Sequence, residues 1–283
     1  TQARAVASSC HSDLWLQYGG SSDSLRGDNS LHSSAFALQG GFDHAIGDDV
    51  HLGVQAGVER ANGTDRIGGH GRADSVHGGL YAYANAGPLV LSGVLDAAHG
   101  SYDVYRQTGI GRAVSSPGGS IASAALQAAW PLALAQWQVT PALGALYQHQ
   151  RLDGFDETVT STHPLADAFA LRGKDSTYNT LQPYARVSFS RSFVAGGIRY
   201  LPQFDLGYRY DTRSANTPLV HATGQDGTLF ALPGNTLGRG VATVGARLTA
   251  QAGASWSWYL DYEGQFASHY RHDALNVGFT KRF

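Results

Sequence analysis

Near the carboxy-terminal end, His269 and His272 stand three residues apart with Asp273 alongside, residue types from which a metal site or a catalytic base is built. A spacing of three at a strand-to-loop junction does not put both rings on one face, and neither H-E-x-x-H nor G-x-S-x-G occurs in the chain. These histidines therefore read as solvated loop residues. A second set carries charge of both signs on the polar parity of alternating runs: Asp43, Glu59, Asp96, Arg186, Asp205, Arg209, Arg247, Asp261, Glu263 and Arg282. Two readings of that set stay open. The residues hydrate a pore and contact a polypeptide within it, or they satisfy one another and hold neighbouring strands together.

The elements that position them alternate with a period of two. In WSWYLDYEGQF, Trp256, Trp258, Leu260 and Tyr262 share one parity, while Tyr259, Asp261, Glu263 and Gln265 share the other. The chain then repeats the pattern, with Leu275, Val277, Phe279 and Phe283 against Asn276, Gly278, Thr280 and Arg282. A soluble sandwich also alternates, so the pattern alone does not choose a class. The aromatic ends do, because Trp256, Trp258 and Phe283 fall where a membrane barrel carries its interfacial girdle.

Composition agrees. Charged residues are 15% of the chain, against about 25% in ordinary soluble proteins. With 22 acidic and 20 basic side chains there is no electrostatic footprint for nucleic acid. No run of about 18 apolar residues forms a transmembrane helix. The expected fold is an all-β, 12-stranded antiparallel transmembrane barrel of one domain, residues 13–283. Expected strands begin with Leu14 to Tyr18, Phe36 to Asp43, and Val50 to Glu59, the last the cleanest alternation in the chain. Polar stretches at 19–33, 61–73, 101–119, 151–178 and 211–238 read as long loops, the last with a small hairpin near Leu229 to Leu232. Short turns are expected at 47–49, 86–88, 131–136, 193–198 and 252–255. Alternation of short and long connections is what an outer-membrane barrel shows between its two sides. Pro141, Pro183 and Pro202 are expected near strand starts or edges, where a missing N–H is tolerated.

Several stretches together resemble autotransporter translocator domains. They are DLWLQYGG, FALQGGFDHAIGDDVHLGVQAGV, LPGNTLGRGVATVGARL, WYLDYEGQFASHYRHDALNVGF and the final KRF. The similarity runs from about Leu14 to Phe283. It implies an outer-membrane barrel that anchors an upstream passenger and exports it to the cell surface, with no enzyme activity, no cofactor and no metal. It also implies four partners or settings: the lipid bilayer, the outer-membrane insertion machinery, the passenger and a linker helix in the pore, the barrel itself being a monomer. The resemblance makes Leu275, Val277, Phe279 and Phe283 the signal read during insertion. Residues 1–12 are too short to supply the whole linker helix and are expected to be its remnant. The Asn-Asn pair of self-cleaving members is missing. The chain has no methionine and starts at Thr1, so a fragment or processed product is expected, and its lone Cys10 is expected to be an inert thiol. A barrel phospholipase or protease, and a passive porin or adhesin, are the alternatives.

Overall fold

A strand with apolar residues at every second position leaves one greasy face and a full set of unpaired backbone groups at each edge. Closing the sheet removes both edges. The computed structural model describes residues 12–27, 30–213, 219–233 and 238–283. Its barrel strands are β1 (Ser12–Leu25), β2 (Leu31–Ile46), β3 (Val50–Asp65), β4 (His70–Ala86), β5 (Leu89–Gln107) and β6 (Gly118–Ala129). They continue with β7 (Trp137–Leu152), β8 (Ser176–Ser190), β9 (Ile198–Tyr210), β10 (Gly240–Ala252), β11 (Trp256–Phe266) and β12 (Tyr270–Arg282). Each pairs antiparallel with its sequence neighbour, and β1 pairs with β12 from Asp13↔Arg282 to Leu25↔Tyr270, so the ring of twelve closes. The closure is locked at its end by the Phe283 N–H, which donates to the Ser12 carbonyl at 2.9 Å.

The greasy parity faces outward throughout. Leu16, Leu38, Val54, Leu80, Leu126, Leu143, Leu206, Leu248 and Leu260 are all exposed, the inverse of a soluble core and the arrangement a hydrocarbon solvent requires. Outward rings mark one margin of this belt, with Trp130, Trp137, Phe193, Trp256, Trp258 and Phe283 at the end carrying the short turns. The inward parity is polar, and there large rings lie on glycines directly across the strand pair. Trp15 faces Gly41, Tyr81 faces Gly53, Tyr184 faces Gly144 and Tyr259 faces Gly278. A Cβ at Gly53 would stand 2.2 Å from the Tyr81 ring, so the glycine is what lets the ring lie flat against the wall.

The count of twelve strands holds, but three polar stretches expected as loops are strand. Residues 19–25 and 31–33 belong to β1 and β2, 61–65 and 70–73 to β3 and β4, and 101–107 and 118–119 to β5 and β6. The reason is height. The 19 residues of β5 span roughly 45 Å along a barrel axis at the usual rise and tilt, well beyond an apolar belt of about 25 Å. Above the belt both faces meet water, so alternation fades while the hydrogen-bonded ladder continues. Three connections at this end are consequently short, and three are long: 108–117, 153–175 and 211–239. The expected hairpin exists, with Leu229–Pro233 pairing to Leu219–Gly224 in a small four-stranded sheet shared with the 153–175 connection. The three prolines lie within β7, β8 and β9, each one residue past the last register pair with one neighbour: Ala129↔Ala142, Tyr184↔Arg209 and Ser190↔Gln203. Their missing N–H groups fall where a ladder runs out. Ser12, expected in the linker remnant, is the first residue of β1; Cys10 and the rest of 1–11 lie outside the described residues.

Candidate functional site: the barrel lumen

Contacts that skip a strand can form only on the concave side, and they identify the lumen wall. At the turn end, the Trp15 indole donates to the Tyr81 hydroxyl (2.7 Å), which donates to Asp43 (2.8 Å). Asp43 stands opposite Asp13 in register, and both are buried. Arg282 answers that pair of carboxylates, its Nε donating to Asp13 at 3.2 Å, and His51 lies 3.9 Å from Asp43. Midway, Gln55 donates to Asp96 at 2.9 Å, with His77 3.2 Å from the same oxygen. Asp205 accepts from Ser188 and from Gln203 (3.0 Å).

Arg247 and Asp261 are register partners joined at 3.0 Å, with the guanidinium 4.7 Å above the Tyr259 ring. Glu263 instead accepts from Gln265 (2.8 Å), whose carbonyl accepts from Arg209 (3.0 Å). Arg186 reaches Gln127 at 3.3 Å, and the Nε of both Arg186 and Arg209 is buried without a hydrogen-bond partner. Asp96, Arg186, Arg209 and Glu263 border one cavity of about 490 Å³. Glu59 lies on the inward parity of β3, exposed, with its charge acting on the Tyr102 hydroxyl. All ten expected lumen residues thus face inward. They separate into charges joined to a neighbour in the wall, such as Arg247, Asp261 and Arg282, and charges that border open space.

The residues expected to carry the insertion signal face the other way. Leu275 and Val277 are exposed on the outer face, Phe279 packs between Trp256 and Trp258 (centroids 6.2 and 5.6 Å), and Lys281 lies over Phe283 at 4.8 Å.

Of the two histidines, His269 is exposed in the connection between β11 and β12 as expected, and His272 departs from expectation. His272 is not a solvated loop residue: it is on β12 opposite Asp23, with Nδ1 2.8 Å from the Asp23 carboxylate, which also accepts from Tyr270 (2.8 Å) and Ser33 (3.3 Å). Asp273 points outward to Arg271 and Tyr262. Sequence distance hid this cluster, since its two halves are 249 residues apart and meet only when the ring closes. Among the described residues no three His, Cys, Asp or Glu side chains converge as metal ligands would.

An outward Arg271–Asp273 ion pair at this level places the cluster beyond the apolar belt. The Asp23 bond raises the His272 pKa above 6.5 against the opposing effect of burial, with Asp23, Glu263 and Asp273 adding to it. Burial pushes Asp23 up, but hydrogen bonds from His272 and Tyr270 outweigh it and hold the carboxyl below 3.8. A raised histidine stabilises fully below 6.5 and loses its contribution as pH climbs through the folded value. A depressed aspartate stabilises above 3.8 and loses its contribution as pH falls. The two overlap between these values. Thermal unfolding of His272→Gln should therefore fall furthest below the parent in that window, and the gap should narrow toward alkaline pH.

A closed sheet with a greasy outside, aromatic margins and a polar lumen is an outer-membrane β-barrel. The sequence is more particular: residues 14–263 match the Autotransporter beta-domain family, to which this chain belongs. Its fold is similar to the translocator domain of the autotransporter NalP from Neisseria meningitidis (TM-score 0.79, 15% identity, 97% of this chain and 89% of that one). It is also similar to the β domain of the Bordetella autotransporter Brka (TM-score 0.72, 18% identity, 96% and 100%). A third likeness is to the transport unit of AIDA-I from Escherichia coli (TM-score 0.67, 16% identity, 96% and 90%). At these identities the likeness is one of fold. No curated protein sequence matches the chain. The barrel is an outer-membrane translocator domain.

Proposed function

We propose that this barrel, as a monomer and without a catalytic step of its own, anchors an upstream passenger in the outer membrane and carries it to the cell surface through the lumen. The observation that carries this is the lumen itself: a polar wall around a cavity of about 490 Å³ in a barrel whose first strand begins at the turn end. A polypeptide joined ahead of β1 starts at the turn end, the periplasmic side of such barrels, and reaches the long connections only through the pore. The test is an epitope-tagged passenger with its linker, fused ahead of Thr1. The tag should be digested by protease added to intact cells. A tag that stays protected while the barrel is folded in the membrane would refute the proposal.

The wall residues divide the work. Arg247 is committed to Asp261 and Tyr259, so its part is to brace, whereas Arg186, Arg209, Asp96 and Glu263 border the space a linker occupies. Residues 1–11 are the end of that linker in this reading. Arg247→Gln should lower the melting temperature of the isolated barrel and leave display per folded barrel unchanged. Glu263→Gln should do the reverse. Equal display defects from both would contradict the division.

The outward ladder of Leu275, Val277, Phe279 and Phe283 is the signal that the outer-membrane insertion machinery reads. Removing Phe283 costs no more than about 3 kcal/mol by burial, which a closed barrel survives. The truncated chain should refold in detergent yet fail to accumulate in the outer membrane of cells. Normal surface levels would remove the recognition role.

A further inference from the structure

Above the apolar belt on one side of the barrel, the outer surface carries a surplus of positive charge. On β3 and β4, Val58 and Val76 are outward and exposed, with Leu80 and Leu95 beneath them. On the same parity, just beyond them toward the long connections, stand Arg60, Asp74 and Arg72. Arg60 and Arg72 both bond the one Asp74 carboxylate, at 2.5 and 2.7 Å, and remain 58% and 45% exposed. Two residues further, His70 stacks on its register partner Tyr105 (4.4 Å), and the Arg112 guanidinium lies 4.1 Å over the other reach of that ring. The opposing carboxylates are Asp74 and Asp103, and Asp103 accepts from Ser116 at 2.8 Å. Three guanidiniums thus meet two carboxylates. Nearer the seam, Arg271 and Asp273 balance one for one.

Height decides what meets this patch. At a strand rise of about 3.3 Å and a tilt near 40°, each residue climbs roughly 2.5 Å along the barrel axis. Arg60 is two residues above Val58, and His70 is six above Val76. The guanidiniums therefore lie roughly 5 to 15 Å above the last apolar side chains, in and just beyond a headgroup layer of about 5 to 8 Å. These side chains are exposed on the outward parity, and a planar guanidinium offers a phosphate two parallel N–H bonds.

We infer that Arg60, Arg72 and Arg112 form an outer-leaflet lipid site that takes the phosphate groups of the phosphorylated glycolipid facing the cell exterior. Asp74 is the site's built-in competitor: it holds two of the three arginines in place and yields them in part to a phosphate that carries more charge. Arg112, parked over Tyr105, is the arm nearest the exterior. This assignment rests on the barrel's place in the outer membrane and is independent of passenger export.

The probe is bis-phosphorylated lipid A, titrated into the refolded barrel in nonionic detergent and followed by native mass spectrometry, with dephosphorylated lipid A as the comparison. The parent should bind the phosphorylated form at least tenfold more tightly than the other. Replacing all three arginines by glutamine should weaken binding by about a hundredfold, on the basis of one surface charge contact for each. Arg271→Gln should leave it unchanged. Asp74→Asn, which removes the competitor without touching a phosphate-binding side chain, should tighten it several-fold, and this variant carries the test should the triple variant not fold. Binding that ignores the phosphates, survives loss of the three arginines, or weakens in Asp74→Asn would overturn the site.

Discussion

Arginine placed at Val54 or Leu248 is expected to cost about 2 to 4 kcal/mol, whereas arginine one residue later, at Gln55 or Thr249, is expected to be tolerated. Val54 and Leu248 are 53% and 45% exposed on the outer face and lie within the apolar belt, so a guanidinium there displaces hydrocarbon contact and must reach for the interface. Gln55 donates to Asp96 in the lumen, and an arginine in its place meets that carboxylate in water. The measurement is urea unfolding of the barrel in lipid vesicles. Equal costs at neighbouring positions would contradict this assignment of faces, and a reversed order would mean that the two faces are exchanged.

A second large effect is expected at the seam. Asp13 and Asp43 face each other across β1 and β2, the first only 2% exposed, and the cation against Asp13 is Arg282 from the last strand. Arg282→Gln leaves two like charges close together in the wall. Removing one partner of a buried pair costs about 3 to 5 kcal/mol, and the lower end is expected because Arg282 itself is one-third exposed. Asp13→Asn in the same chain should recover much of the loss, since it removes one of the two like charges that face each other. A double variant no more stable than Arg282→Gln alone would show that the pair does not set the energy of the seam.

The parity of each membrane segment was legible because hydrocarbon on one side and water on the other impose a period of two. The inward side of β3 could be read from Gln55, Gly57 and Glu59, and on that parity Gly53 and Gly57 lie under the rings of Tyr81 and His77. The outer halves of β1 through β6 could not be read so. In β1, outward Ser22 and Ser24 alternate with inward Ser21 and Asp23, a sequence that looks like loop although its ladder to β2 and β12 continues to Leu25. Pairs made by ring closure were also out of reach. The parity of Arg282 is inward from the sequence, but its partner Asp13 lies 269 residues away, on the first strand. Its one available signal was position, directly before Leu14 on the parity of Trp15 and Gln17. The same holds for Asp23 and His272, which the seam brings into register.

The most direct test of export through this lumen uses two adjacent residues of β6. Gln127 faces inward, bonded by Tyr184 and Arg186, while Leu126 is 71% exposed on the lipid face. A photocrosslinking amino acid is placed at one position or the other in a barrel whose passenger is stalled part-way by a folded, disulfide-locked module. An adduct between barrel and passenger from position 127, with none from position 126, is the predicted result. A passenger that arrives at the cell surface without ever crosslinking to position 127, or that crosslinks equally to both, would contradict passage through the pore.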